Sequence, residues 1–147
     1  MTEPSAVLVV AHQTAATTPL LQAVSERATR GATRFHLVVP QRARGLHRLL
    51  DPEDSGREEA ERVLAQALPE LSRAAGGQVT GSVGVAEPLM AIEDAVHRDG
   101  YDEIIISTLP LGVSRWLKLD LVSKARALGP PVTHVVAGVP TSDPVAV

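Results

Sequence analysis

The chain has 147 residues, of which 44% are hydrophobic, and it contains no cysteine. This length predicts one domain over residues 1–147, and the missing thiols exclude zinc-thiolate sites, iron-sulfur clusters and disulfide scaffolds, so a reducing cytoplasm is the expected location. A net charge of −3, a single Trp, Tyr and Phe, and no apolar stretch approaching about 18 residues argue against nucleic acid and membrane as partners.

Strand and helix patterns alternate from the start of the chain. The apolar run at residues 6–11 (AVLVVA) predicts a central strand, because a strand covered on both faces is apolar throughout. Thr18 as N-cap, followed by Pro19 at the first helical position, predicts the start of a helix that ends at Gly31. Residues 34–40 (RFHLVVP) then predict a second strand, so the chain begins with a β-α-β unit.

A loop, a long helix and an edge strand are predicted for the middle of the chain. Residues 41–51 are expected to form a loop or a short irregular helix, and residues 54–76 a long helix with a kink at Pro69. Residues 79–85 alternate between apolar and polar side chains, which is typical of a half-exposed edge strand. Pro88 predicts the start of a third helix.

The last part of the chain predicts strand, helix and strand. Residues 102–107 predict a second central strand, residues 121–128 predict a short fourth helix, and the last strand begins at Val132 and ends at Ala137. The tail at 139–147 is expected to be loose. This alternation predicts an α/β fold: a single-domain three-layer sandwich whose five-stranded parallel sheet has the order 3-2-1-4-5, with about four helices on its two faces.

The candidate ligand site lies at the carboxyl ends of the first and fourth strands, where the strand order reverses. The candidate ligand-binding residues there are His12, Thr14, Ser107, Thr108, Gly112, Ser114, Arg115 and Lys118. Arg115 and Lys118 could join the basic residues of the 41–51 loop to attract a small anionic ligand, or both loops could be ordinary solvated surface. Those basic residues are Arg42, Arg44, His47 and Arg48.

Several side chains near this site have alternative roles. His12 either binds a ligand or is a satisfied polar residue, and Trp116 is a lid, a packing anchor or a dimer contact. Ser114 and Thr108 lack any paired base, so neither is expected to act as a nucleophile. No catalytic residue and no metal site are predicted, since the five histidines lack the spacing of metal ligands.

The segment at residues 102–136, DEIIISTLPLGVSRWLKLDLVSKARALGPPVTHVV, resembles the universal stress protein family. The likeness extends over nearly the whole chain from Ala6 to Ala137. It implies a five-stranded parallel α/β fold and pairing of two copies through the last strand. In ATP-binding members of the family, a loop of pattern G-x-x-G, nine residues, then G-S or G-T follows the fourth strand and holds the phosphates.

The chain departs from this loop at each defining position. Aligned without a gap, the family's glycines fall at Ser107, Pro110 and Asp120, and Leu121 replaces the hydroxyl residue. Pro110 has no amide hydrogen to offer a phosphate, and the Asp120 carboxylate is expected to cap the next helix in the place of an anion. The family's acidic residue after the first strand aligns with His12. ATP is therefore a disfavoured ligand, and no cofactor is expected.

Three functions are compatible with these observations. The first is a non-catalytic regulatory protein of the universal stress type that acts as a homodimer in a stress response and lacks the standard ATP loop. The second is an adenine nucleotide-binding protein in which Thr108, Gly112, Arg115 and Lys118 replace the glycine amides. The third is a hydrolase or nucleotidyl transferase, which would need an acid-base pair or a phosphate cradle that no motif provides.

Overall fold

The computed structural model describes residues 3–42, 55–110 and 113–137. The predictions for the loop residues after Arg42, for Gly112 and for the tail at 139–147 lie outside these ranges. Within them, none of the helices combines the length and the hydrophobicity that crossing a membrane requires.

The described chain has five strands and five helices, which alternate except that both α4 and α5 lie between β4 and β5. The strands are β1 (Ser5–Val10), β2 (Thr33–Pro40), β3 (Thr80–Gly84), β4 (Glu103–Thr108) and β5 (Val132–Val136). The helices are α1 (Thr18–Thr29), α2 (Ser55–Ala75), α3 (Pro88–Asp99), α4 (Arg115–Lys118) and α5 (Leu121–Arg126). All strands belong to one parallel sheet in the order β3-β2-β1-β4-β5, which confirms the predicted fold class and strand order.

The helix starts follow local sequence signals closely, with small corrections. Helix α1 begins at Thr18 with Thr17 as its N-cap, one residue earlier than the predicted cap. Pro88 is the first residue of α3, as predicted, and the Glu87 carboxylate accepts a hydrogen bond from the Met90 amide at 2.8 Å. Pro69 lies inside the uninterrupted helix α2, so the kink there stays a prediction.

The two central strands bury side chains on both faces of the sheet, which explains their continuous apolar runs. Val7 and Val9 pack with α1 and α2, whereas Leu8 and Val10 pack with α3 and α5. All four are fully buried. Burial of each such side chain stabilises the fold by roughly 1.5–3 kcal/mol.

The chain leaves β1 and β4 towards opposite sides of the sheet. From β1 it passes through α1 to β2, and from β4 it passes through α4 and α5 to β5. The register pairs Val10 with Ile106, so the carboxyl ends of both strands lie side by side. This arrangement creates the crevice in which ligands of parallel α/β sheets bind.

Candidate functional site

A cleft of about 290 Å³ lies at the carboxyl ends of β1 and β4. Of the predicted site residues, its wall includes His12, Thr14, Ser107, Thr108, Ser114 and Arg115. Lys118 lies on α4 but not on this wall, and Gly112 lies outside the described residues. The remaining wall comes from Gln13, Pro40, Gln41, Arg42, Ala86, Pro88, Leu109, Val113 and Trp116. The segments after β2 and β3 thus contribute more of this wall than the sequence predicts.

A pair of buried hydroxyl groups closes the floor of the cleft between the two central strands. Thr14 Oγ1 and Ser107 Oγ are 2.6 Å apart, and both residues are buried. Each hydroxyl can donate one hydrogen bond and accept others. The pair therefore joins the loop after β1 to the end of β4 and retains capacity for a ligand.

His12 presents a polar atom whose hydrogen-bonding capacity is unused. Its Nε2 is buried, and no described residue lies within hydrogen-bond distance of it. Burial lowers the pKa of His12, an effect that the carboxylate of Glu59 opposes and the guanidinium of Arg42 reinforces. A buried polar atom without a partner is costly, so this neutral imidazole is suited to hydrogen-bond a ligand in the cleft.

Thr108 has an imidazole partner that the sequence analysis missed. Thr108 Oγ1 lies 2.8 Å from Nε2 of His134 on β5. The expectation that Thr108 has no paired base is therefore wrong. The sheet register pairs Ile106 with His134, which places His134 and Thr108 on the same face of adjacent strands. Burial and the nearby Arg126 guanidinium hold the pKa of His134 below its usual value.

The short helix α4 forms one side of the cleft. Ser114 is buried and caps this helix, since its hydroxyl accepts a hydrogen bond from the Leu117 amide at 3.1 Å. Arg115 follows with an exposed side chain. Trp116 is partly buried and packs with the core on the α3 and α5 side while it also lines the cleft. Trp116 therefore both packs against the core and forms part of the cleft wall.

The positive charge of the wall comes from two arginines among the described residues. Arg115 takes part in none of the ion pairs found there. Arg42 Nη2 lies 3.1 Å from Glu59 Oε2, and about half of the Arg42 side chain is exposed. The other basic residues predicted for this rim, Arg44, His47 and Arg48, lie outside the described residues.

Comparison with known proteins identifies the architecture around the cleft. The chain matches no family model and no curated protein. A universal stress protein from Lactobacillus plantarum superposes with a TM-score of 0.64 at 14% identity, covering 92% of this chain and 99% of that one. The chain has the universal stress protein fold.

Two further structures with this fold hold adenosine monophosphates. A universal stress protein family protein from Arabidopsis thaliana with AMP bound has a TM-score of 0.62 at 16% identity, covering 94% of this chain and 97% of that one. The universal stress protein from Archaeoglobus fulgidus in complex with dAMP has a TM-score of 0.58 at 17% identity, covering 92% of this chain and 99% of that one.

Asp120 does not cap α5 as predicted. It occupies the N-cap position, but its carboxylate makes no capping hydrogen bond to the helix amides. Its backbone is left-handed, with φ 58° and ψ 38°, whereas a capping side chain needs an extended N-cap residue. Asp120 stands where the universal stress protein loop has a glycine, the residue that adopts positive φ most readily. Asp120 is also not one of the residues that line the cleft.

Pro110 and Ser107 reduce what this loop can offer to a phosphate group. Pro110 has no amide hydrogen, and its carbonyl oxygen accepts hydrogen bonds from the amides of Val113 and Ser114 at 3.1 and 3.0 Å. Those two amides are therefore committed within the loop. The Ser107 side chain occupies space that glycine would leave open, and it is held by Thr14.

Proposed function

We propose that the protein is a non-catalytic regulatory protein of the universal stress type that binds a small anionic ligand in this cleft. The observation that carries the proposal is the composition of the wall at the strand-order reversal. Hydroxyl groups and the unused Nε2 of His12 lie there together with the exposed guanidinium of Arg115. Such a wall offers hydrogen bonds for orientation and positive charge for an anion.

The same wall argues against ATP as the physiological ligand. Ligand pockets usually measure about 300–1,000 Å³, and this cleft of about 290 Å³ is at the lower limit. A triphosphate needs several free backbone amides. Pro110 supplies none, and the amides of Val113 and Ser114 already donate to the Pro110 carbonyl. The proposal therefore includes the loss of the standard ATP loop.

A second candidate is an adenosine monophosphate. Structures with the same fold hold AMP and dAMP. A single phosphate could be met by Arg115 and the hydroxyl of Thr108, which line the cleft. The sequence also predicts this role for Gly112 and Lys118, but Gly112 lies outside the described residues and Lys118 does not line the cleft. A monophosphate makes a smaller demand on loop amides than ATP does, so this candidate is compatible with Pro110.

We also propose that two copies pair through β5 and that the protein acts in a cytoplasmic stress response. Strand β5 pairs with β4 on one side, and among the described strands none covers its other edge. Val135 and Val136 are only partly buried there. An uncovered edge strand favours pairing with another strand. Light scattering at tens of micromolar protein should give a dimer, and a monomer at that concentration would contradict this part.

Calorimetric titration separates the two ligand candidates. We expect AMP and ATP at millimolar concentration to give no heat if the ligand is another small anion, and AMP alone to bind if the second candidate is correct. Arg115→Ala should weaken AMP binding about tenfold, the loss of one charge-assisted contact. Lys118→Ala is the matched control, because Lys118 is also exposed on α4 but does not line the cleft. ATP binding tighter than AMP binding would contradict the proposal.

A further inference from the structure

Three hydroxyl groups of the cleft wall make two contacts of different chemistry. Thr14 and Ser107 hydrogen-bond to each other, and no imidazole takes part. Thr108 instead faces His134, with Oγ1 and Nε2 2.8 Å apart. Thr108 is 2% exposed and forms part of the cleft wall. Of these wall hydroxyls, Thr108 is the one with a base at hydrogen-bond distance in the described structure.

The Thr108 and His134 pair has the geometry of a nucleophile and its general base. In the tautomer that leaves Nε2 unprotonated, the Thr108 hydroxyl donates to it. An imidazole in this position can take the proton when the hydroxyl oxygen attacks an electrophile. Burial and Arg126 favour the neutral form of His134 that this role requires. The sheet register fixes both residues on one face of adjacent strands, so the base is held in place before a ligand arrives.

We propose that Thr108 is a self-acylation site that takes its acyl group from a small acyl phosphate bound in the cleft. The Thr108 oxygen forms a bond to the acyl carbon, and the bond from that carbon to the phosphate oxygen breaks with its electron pair. His134 takes the hydroxyl proton and passes it to the departing phosphate. The products are an ester on Thr108 and hydrogen phosphate, so the reaction is one covalent modification per protein chain.

The acyl phosphate class follows from what shares the cleft with Thr108. The phosphate end carries the negative charge that Arg115 can meet, and the carbonyl end is the electrophile that a hydroxyl with a general base can attack. A cleft of about 290 Å³ favours a short acyl chain. The inference rests on the proposed function, because the anion site there would bind the phosphate end.

Acetyl phosphate and p-nitrophenyl acetate are the two probes for the test. The full chain is incubated with each, and intact mass and peptide mapping then locate any acetyl group. We expect one acetyl group on Thr108 from both probes. Thr108→Val should abolish it and Thr108→Ser should retain it. His134→Gln should slow the reaction about 100-fold, since a general base typically contributes about 10²–10⁴. Thr29→Val is the matched control, because Thr29 is an exposed threonine on α1 that does not line the cleft, and it should leave the rate unchanged.

The pH dependence gives a second readout that a merely structural hydrogen bond would not produce. The acetylation rate should rise with pH through the pKa of His134 and then level off, because the neutral imidazole is the reactive form. The groups that face His134 are the Thr108 hydroxyl from β4 and the Arg126 guanidinium from α5. Val135, the next residue, packs on the α1 and α2 side. Arg126→Ala should therefore move the midpoint of the profile to higher pH.

The outcomes separate this inference from the proposed function. An acetyl group found only on Lys118, Lys124 or the amino terminus would overturn the acylation site. A phosphoryl group on Thr108 after acetyl phosphate would overturn the acyl assignment. p-Nitrophenyl acetate is uncharged and therefore does not need the anion site. If it modifies Thr108 and acetyl phosphate does not, Thr108 and His134 are supported as a reactive pair. The same result would contradict the anion site, and with it the acyl phosphate as donor.

Discussion

Three histidines make the stability of the protein depend on pH at the residue scale. Burial lowers the pKa of His12, His36 and His134 below 6.5, the ordinary value that they regain in the unfolded chain. The unfolded chain therefore binds more protons than the folded chain as pH falls through 6.5. The stabilising effect is fully present above the unfolded pKa and is lost as pH falls towards the folded pKa values.

We accordingly expect the urea concentration at the midpoint of unfolding to decrease as the pH is lowered from about 7.5 to about 5.5. His12→Gln should make this fall shallower, because it removes one of the groups that the unfolded chain protonates first. His97→Gln is the control on the exposed end of α3. A urea midpoint that increases as the pH is lowered would contradict the role of burial at His12. An equal decrease in His12→Gln and His97→Gln would contradict it as well.

The left-handed backbone of Asp120 gives a second prediction at this scale. Among the described residues, it is the non-glycine residue with positive φ, and this conformation costs roughly 1–2 kcal/mol for most residues but less for Asp. Asp120→Gly should raise the free energy of unfolding by about 0.5 kcal/mol, measured by urea denaturation. Asp120→Ala should lower it instead. Because Asp120 lies off the cleft wall, neither change should alter AMP affinity.

At the scale of elements, the packing of α3 on β3 leaves no room for a side chain at Gly84. A Cβ atom there would lie 2.8 Å from Ala91 Cβ and 3.0 Å from Val38 Cγ1. Gly84→Ala should therefore lower the free energy of unfolding by about 1–3 kcal/mol, as other overpacked sites do. Gly77→Ala is the matched control, because nothing lies within 4 Å of a Cβ atom there. Equal urea midpoints of unfolding for Gly84→Ala and Gly77→Ala would contradict the claim that Gly84 has no room for a side chain.

The elements also show which features can be predicted from sequence. Continuous apolar runs identify β1 and β4 as central strands because both sheet faces are covered, and proline positions identify the starts of α1 and α3. Helix α4 has four residues, too few for periodicity, although the N-cap Ser114 was a usable signal. Thr108 and His134 are 26 residues apart in sequence, and their pairing depends on the register of β4 and β5, which local patterns do not encode.

At the scale of the whole molecule, the sheet order determines where a ligand can bind. The chain turns away from β1 and β4 in opposite directions, and the side chains that line the resulting cleft come from segments far apart in sequence. The apolar runs of β1 and β4 predicted that these strands are central, and the reversal of strand order between them predicted the location of the cleft. Residue type predicted a cap at Asp120 that does not form, because capping depends on a backbone conformation that residue type alone does not reveal.

The molecule that leaves the purified protein on denaturation tests the central claim most directly. Mass spectrometry of the released fraction should find a small anion other than ATP in the wild-type protein and in Lys118→Ala, and should find it depleted in Arg115→Ala. Release of ATP from the wild-type protein would contradict the account, as would a molecule that Arg115→Ala retains in full. A wild-type protein that releases nothing and binds neither AMP nor acetyl phosphate in calorimetry would contradict it equally.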